Sequence, residues 1–188
     1  MKKIALFGIL ACSALFADSE PTRDWIAELR AGAFLPNSHT IKKMFGRGWI
    51  EGEAEFTYRF AGHFAVWGNA GYSYKNGHSN FHHNAHIWII PVSAGLKYLF
   101  RLDRMRPYLG FGPSYTFLHL KNYSPLTSQR VYKNRFGYVA KSGIYIDLSR
   151  RWALDLFLDY YSLKVHFQKA KKADISGIRT GIGLGYKF

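Results

Sequence analysis

The chain of 188 residues carries a single cysteine, Cys12, so no disulfide can form within it. It also lacks a membrane-spanning helix. Its one long uncharged run near a terminus, Ile4 to Phe16, is thirteen residues, and a spanning helix needs roughly 20. Acid is scarce: 12 Asp and Glu stand against 26 Lys and Arg, a formal charge of +14. The absence of long apolar runs argues against a helical membrane protein, and an aromatic content of 18% argues against disorder. What remains is a β-protein, either a secreted soluble domain or a membrane barrel.

The start of the chain points to export. Met1-Lys2-Lys3 is a basic head, Ile4 to Phe16 an apolar core, and Ala17 a small residue before the polar Asp18-Ser19-Glu20. This is the layout of a signal peptide over residues 1–17, cleaved near Ala17. Cys12 lies within it. Ile9-Leu10-Ala11-Cys12 makes a poor lipidation box, because the apolar run continues through Phe16. Residues 18–188 then form one domain with a formal charge of +12.

Eight segments of about ten residues alternate apolar and polar positions, the period of a strand with two different faces. The clearest is Trp49 to Phe60, in which Ile50, Gly52, Ala54, Phe56, Tyr58 and Phe60 oppose Glu51, Glu53, Glu55, Thr57 and Arg59. The others begin near Trp25, Phe64, Trp88, Tyr108, Phe136, Trp152 and Ile178. Short connections (Ala61 to His63, Arg101 to Arg106, Ser149 to Arg151) alternate with long ones at Leu35–Gly48, Lys75–His86, Leu118–Arg135 and Lys164–Asp174. Short turns at one end and long loops at the other are the plan of an eight-stranded antiparallel up-and-down transmembrane β-barrel with both termini in the periplasm. Two aromatic girdles are expected on its outer wall. The periplasmic one includes Tyr58, Phe60, Phe64, Tyr98, Phe100, Trp152, Tyr186 and Phe188; the outer one includes Phe34, Tyr72, Tyr74, Trp88, Phe117, Phe136, Tyr138 and Tyr160. Pro91 and Pro113 cannot donate to a ladder, so bulges and slipped faces are expected beside them.

Gly181-Ile182-Gly183-Leu184-Gly185-Tyr186-Lys187-Phe188, the run Arg106-Pro107-Tyr108-Leu109-Gly110-Phe111-Gly112 and the eight-strand plan resemble small bacterial outer-membrane barrels of the OmpA/OmpX and OmpW type. The resemblance implies that Leu184, Tyr186 and Phe188 form a signal for the barrel-insertion machinery.

The charges divide between interior and ends. Glu28, Glu51, Glu53, Glu55, Asp147, Asp155 and Asp159 share the inward face with Arg30, Arg59, Lys97, Lys141, Arg179 and Lys187, a near-neutral lumen network. Such a barrel is wide enough only to be filled by side chains or to hold one small ligand. The positive surplus lies in the long loops. Lys42, Lys43, Arg47, Arg130, Lys133, Arg135, Lys169, Lys171 and Lys172 are candidates for contact with lipopolysaccharide phosphates or another polyanion. Nucleic acid is not an expected partner of an exported chain, nor is a cofactor expected, and the barrel is expected to be a monomer.

Weaker signals remain. His78, His82, His83 and His86 cluster in the second long loop, but with no acid or cysteine among them they are weak metal ligands. His119, Ser124 and Ser128 hold residue types a lipid-A-modifying enzyme would use, without an orienting carboxylate. Three functions fit this sequence: a non-enzymatic barrel serving envelope structure or narrow solute passage, a surface receptor or adhesin, and a lipid-A-modifying enzyme.

Overall fold

The computed structural model describes residues 24–39, 42, 46, 48–78, 84–100, 102, 104–124, 127–167, 170–174 and 176–188, with side chains described for all of these except 24, 77–78, 84–85, 120–131 and 164–174. The expected leader at 1–17 and Lys43, Arg47, His82, His83 and Lys169 lie outside the described residues.

Ten strands follow one another: β1 (Asp24–Pro36), β2 (Trp49–Ala61), β3 (Phe64–His78), β4 (Asn84–Leu99), β5 (Met105–Ser124), β6 (Thr127–Asp147), β7 (Trp152–Ser162), β8 (Lys164–Phe167), β9 (Ala170–Asp174) and β10 (Gly177–Lys187). Eight of them close a barrel in the order β1-β10-β7-β6-β5-β4-β3-β2, while β8 and β9 pair separately. Every barrel neighbour is antiparallel, and β1 meets β10 over eleven register pairs from Ile26↔Lys187 to Pro36↔Gly177, so no edge is left open.

The alternation explains the wall. On β2, Ile50 and Phe56 are 83% and 53% exposed, whereas Glu51, Glu53 and Glu55 between them are buried. In a soluble sandwich this would be inside out. The same sense holds around the barrel: Leu29, Val66, Ile90, Leu109, Ile144, Leu156 and Ile182 all face outward. That outer face suits hydrocarbon, and closure satisfies the backbone groups that hydrocarbon cannot.

Four expectations need correction. First, neither proline shifts the sheet. The β3–β4 and β4–β5 registers are the same on both sides of Pro91 and Pro113, and pairing lapses only over Gly71–Tyr72 and Ala94–Gly95. Each missing N–H falls where the ladder lets go, and the faces do not slip. Second, much of the long connections is strand. β5 and β6 zip from Met105↔Ile146 to Ser124↔Thr127, absorbing most of Leu118–Arg135, and β8–β9 occupies most of Lys164–Asp174. Backbone groups above the membrane still need partners, and continuing the ladder supplies them. Third, Phe34 faces the interior, not the outer girdle; it is buried and stacks on Trp49 at 5.3 Å. It shares parity with Glu28 and Arg30, which is enough to turn it inward. Fourth, Arg106, expected in a periplasmic turn, is buried on β5 and pairs with Asp147 at 2.6 Å.

Candidate functional site

Every element of the interior is set by period-two placement. β1 brings in Glu28 and Arg30, β2 Glu51, Glu53, Glu55 and Arg59, β4 Lys97, β6 Lys141, β7 Asp155 and Asp159, and β10 Arg179; all are buried. With Arg106, the buried charges number six acids and six bases among the described residues, so the interior is electrically matched.

Arg30 is the hub. Its Nη2 lies 2.7 Å from Asp155 Oδ2 and donates to Tyr108 Oη at 2.9 Å; its Nη1 lies 3.1 Å from Glu55 Oε2 and 3.4 Å from Glu53 Oε1. Lys141 Nζ reaches Glu55 Oε2 at 2.7 Å, Asp159 Oδ2 at 3.0 Å and Glu53 Oε1 at 3.1 Å. Lys97 pairs with Glu55, and Arg179 pairs with Glu51 and Glu53. Asp147 sits at the short-turn end, half-buried, 3.3 Å from Lys187 Nζ as well as paired to Arg106. Charges in such a place persist only when partnered and hydrogen-bonded together.

Two buried tyrosines, Tyr108 and Tyr145, tie the network to its floor. Tyr108 Oη donates to Asp155 Oδ1 at 3.1 Å, and Tyr145 Oη donates to Glu28 Oε2 at 3.0 Å while accepting from Lys97 Nζ at 2.8 Å. Their rings lie 4.8 Å apart and pack with Ala65 and Leu99. Lys97 Nζ sits 4.5 Å above the Tyr108 ring, a cation–π contact. Trp67, Val139 and Tyr161 form a second apolar cluster beside the charges, with Lys141 Nζ 4.8 Å from the Trp67 ring and Arg179 4.5 Å from the Tyr161 ring. A cavity of about 30 Å³ bounded by Phe34, Trp49, Glu51, Ile89, Tyr161 and Arg179, among others, has room for about one water. Among the described residues the interior is thus filled by an apolar floor, a charge-matched middle and a partly aromatic upper layer.

The remaining candidates lie nearer the ends of the strands. Lys42 is exposed, Lys133 and Arg135 are half-buried on β6, Arg130 lies on β6 opposite Lys121, and Lys171 and Lys172 lie on β9. His86 stacks beside Tyr74 and Trp88, and His78 ends β3. Among the described residues, no three His, Cys, Asp or Glu side chains gather as metal ligands. His119 is stacked between Trp88 at 5.1 Å and Tyr132 at 4.2 Å. Ser124 is five residues further along the same strand, roughly 16 Å away, and Ser128 is paired opposite Tyr123, so the three do not assemble into a catalytic group. Leu184, Tyr186 and Phe188 project from the outer wall, with Tyr186 edge-on to Trp152 and to Phe188.

A closed eight-stranded barrel, apolar outside and charge-filled inside, is the architecture of a small outer-membrane protein. The chain belongs to the outer membrane protein beta-barrel domain family, which matches residues 4–188. Among solved structures it is similar to Neisserial surface protein A, with 15% identity and a TM-score of 0.60 over 88% of this chain and 97% of that one. It is also similar to Ail, the attachment invasion locus protein of Yersinia pestis, solved in complex with the heparin analogue sucrose octasulfate (13%, 0.57, 88% and 97%). A major outer membrane protein from Thermus thermophilus matches as well (14%, 0.61, 89% and 100%). No curated protein matches the sequence. At these identities the structural likenesses establish the fold.

Proposed function

We propose that this protein is a non-enzymatic outer-membrane barrel of the cell envelope, whose filled interior makes it a rigid post for a cationic outer rim that contacts anionic groups of the surface, lipopolysaccharide phosphates foremost. The observation that supports the proposal is the filled lumen, in which Arg30, Lys97 and Lys141 are each buried and paired with acids. Narrow solute passage is the weaker role for such a barrel. Planar-bilayer recording is expected to show no unitary steps for the intact protein. Replacing Tyr108 and Tyr145 together by alanine, which removes most of the floor, is expected to introduce small steps. Steps from the intact protein would restore the passage role.

The cationic rim supports the second half of the proposal. Lys42, Lys43, Arg47, Arg130, Lys133, Arg135, Lys169, Lys171 and Lys172 all belong to the long-connection end of the chain. Ail, of the same fold, is described in complex with a sulfated heparin analogue, so a barrel of this shape can hold a polyanion. Changing Lys169, Lys171 and Lys172 to glutamine is expected to lower affinity for lipopolysaccharide severalfold and to flatten its salt dependence, since each lost cation removes a screened attraction. Unchanged binding at low salt would refute the rim. Surface attachment to a host polyanion would use the same residues. In this proposal residues 1–17 are the export leader, and Leu184, Tyr186 and Phe188 are read by the insertion machinery.

A further inference from the structure

The opposite end of the barrel carries its own unassigned cations. Arg104 in the β4–β5 connection and Arg150 and Arg151 in the β6–β7 connection are exposed, and among the described residues none makes an ion pair. The two connections are joined, because Asp147 N–H donates to the Arg104 carbonyl at 3.0 Å. The nearby acid Asp147 is already held by Arg106 and Lys187. Arg101 and Asp103 lie outside the described residues, but counting them leaves six cations to two acids over Arg101–Arg106, Asp147–Arg151 and Lys187. Beside the arginines, Leu102, Met105 and Leu148 are 61%, 52% and 59% exposed. Charge and grease at one tip, next to Trp152 and Phe100 of the lower girdle, suit the headgroup level of a bilayer.

A second feature lies directly above, on the same strands. The outward column of β6 is Ile146, Ile144, Ser142 and Ala140. Its two small members face Leu109 and Phe111 on β5, and Leu158 and Tyr160 on β7. The wall there holds a depression of about 330 Å³. Ser142 Oγ donates to the Leu158 carbonyl at 2.6 Å, so its hydroxyl is turned into the wall and the groove stays apolar. From Asp147 to Ser142 is five residues, roughly 17 Å of strand or about 13 Å of depth at the usual tilt of a spanning strand. Half of a hydrocarbon core is about 15 Å. The groove therefore lies within reach of an acyl chain whose headgroup sits on the arginines.

We propose that β5–β7 form a site for one anionic phospholipid of the inner leaflet, with its phosphate held by Arg104, Arg150 and Arg151 and one acyl chain seated over Ser142 and Ala140. The site is independent of the outer rim and survives if the rim proposal fails.

Native mass spectrometry of the detergent-folded full chain, given equal phosphatidylglycerol and phosphatidylcholine, tests it. One phosphatidylglycerol is expected to be retained at least about tenfold over phosphatidylcholine, as clustered cations near a membrane surface allow. Changing Arg104, Arg150 and Arg151 together to glutamine is expected to bring that ratio to about one. Ala140→Phe, which fills the groove but leaves the arginines, is expected to abolish retention, with Ser142→Leu as a second filling variant if the first does not fold. Equal retention of the two lipids by the intact protein overturns the site, as does a ratio unmoved by the triple change. Retention untouched by both filling variants overturns the acyl seat. Displacement of the lipid by soluble polyglutamate at moderate salt overturns the lipid as occupant in favour of an acidic protein partner.

Discussion

Arg30→Met is expected to destabilise the barrel by about 3–5 kcal/mol, the range seen when one member of a buried charge pair is removed. The side chain that replaces it fills similar space but leaves Asp155 without its paired cation and takes one of several cations from Glu55 and Glu53. Urea unfolding of detergent-folded protein, followed by tryptophan fluorescence and by heat-modifiable gel mobility, would measure it. Adding Asp155→Asn to the same chain is expected to recover part of the loss, because the two groups are direct partners at 2.7 Å and their effects should not add. A single variant within about 1 kcal/mol of the parent would mean that water solvates these acids, and the tightly filled interior would be wrong.

The second large effect concerns backbone approach. Gly112 and Gly181 face inward where strands converge. A Cβ on Gly112 would lie 2.0 Å from the Ala94 carbonyl oxygen and 2.8 Å from Gly95 Cα; one on Gly181 would lie 2.2 Å from the Ala31 oxygen and 2.5 Å from Gly32 Cα. In both cases the obstacle is another strand's backbone, which cannot rotate away. Gly112→Val and Gly181→Val are expected to cost at least the roughly 1–3 kcal/mol of an overpacked core and to reduce folded yield on gels. Gly52→Val is the control. Gly52 faces outward with nothing within 4 Å of its would-be Cβ, so that change should be close to neutral. Equal tolerance at all three positions would show that the wall yields even where its strands approach most closely.

Strand period, the eight strands of the barrel and nearly all of their faces were legible from residue types, whereas the β8–β9 pair was not. Glu51-Gly52-Glu53-Ala54-Glu55-Phe56 can bury its acids and expose its apolar residues only in a barrel turned inside out relative to a soluble one. Phe34 departs from the expected girdle because it shares the parity of Arg30, four residues earlier, and so turns inward. Pro91 and Pro113 suggested bulges because a missing N–H is visible in a sequence. Whether the neighbouring strand can release its own hydrogen bond at the same rung is not.

By itself the sequence determined the consequences of a local period: which residues line the wall, which line the lumen, and that the lumen is nearly neutral. Only the tertiary structure decided who partners whom. Arg30 on β1 meets Asp155 on β7, and Tyr145 on β6 meets Glu28 on β1, across an interior more than a hundred residues wide in sequence. The reason is geometric. A period-two pattern fixes the side of the sheet on which a residue lies, but the stagger of eight strands around a closed ring fixes the height at which it meets the others, and that stagger is a property of the whole ring.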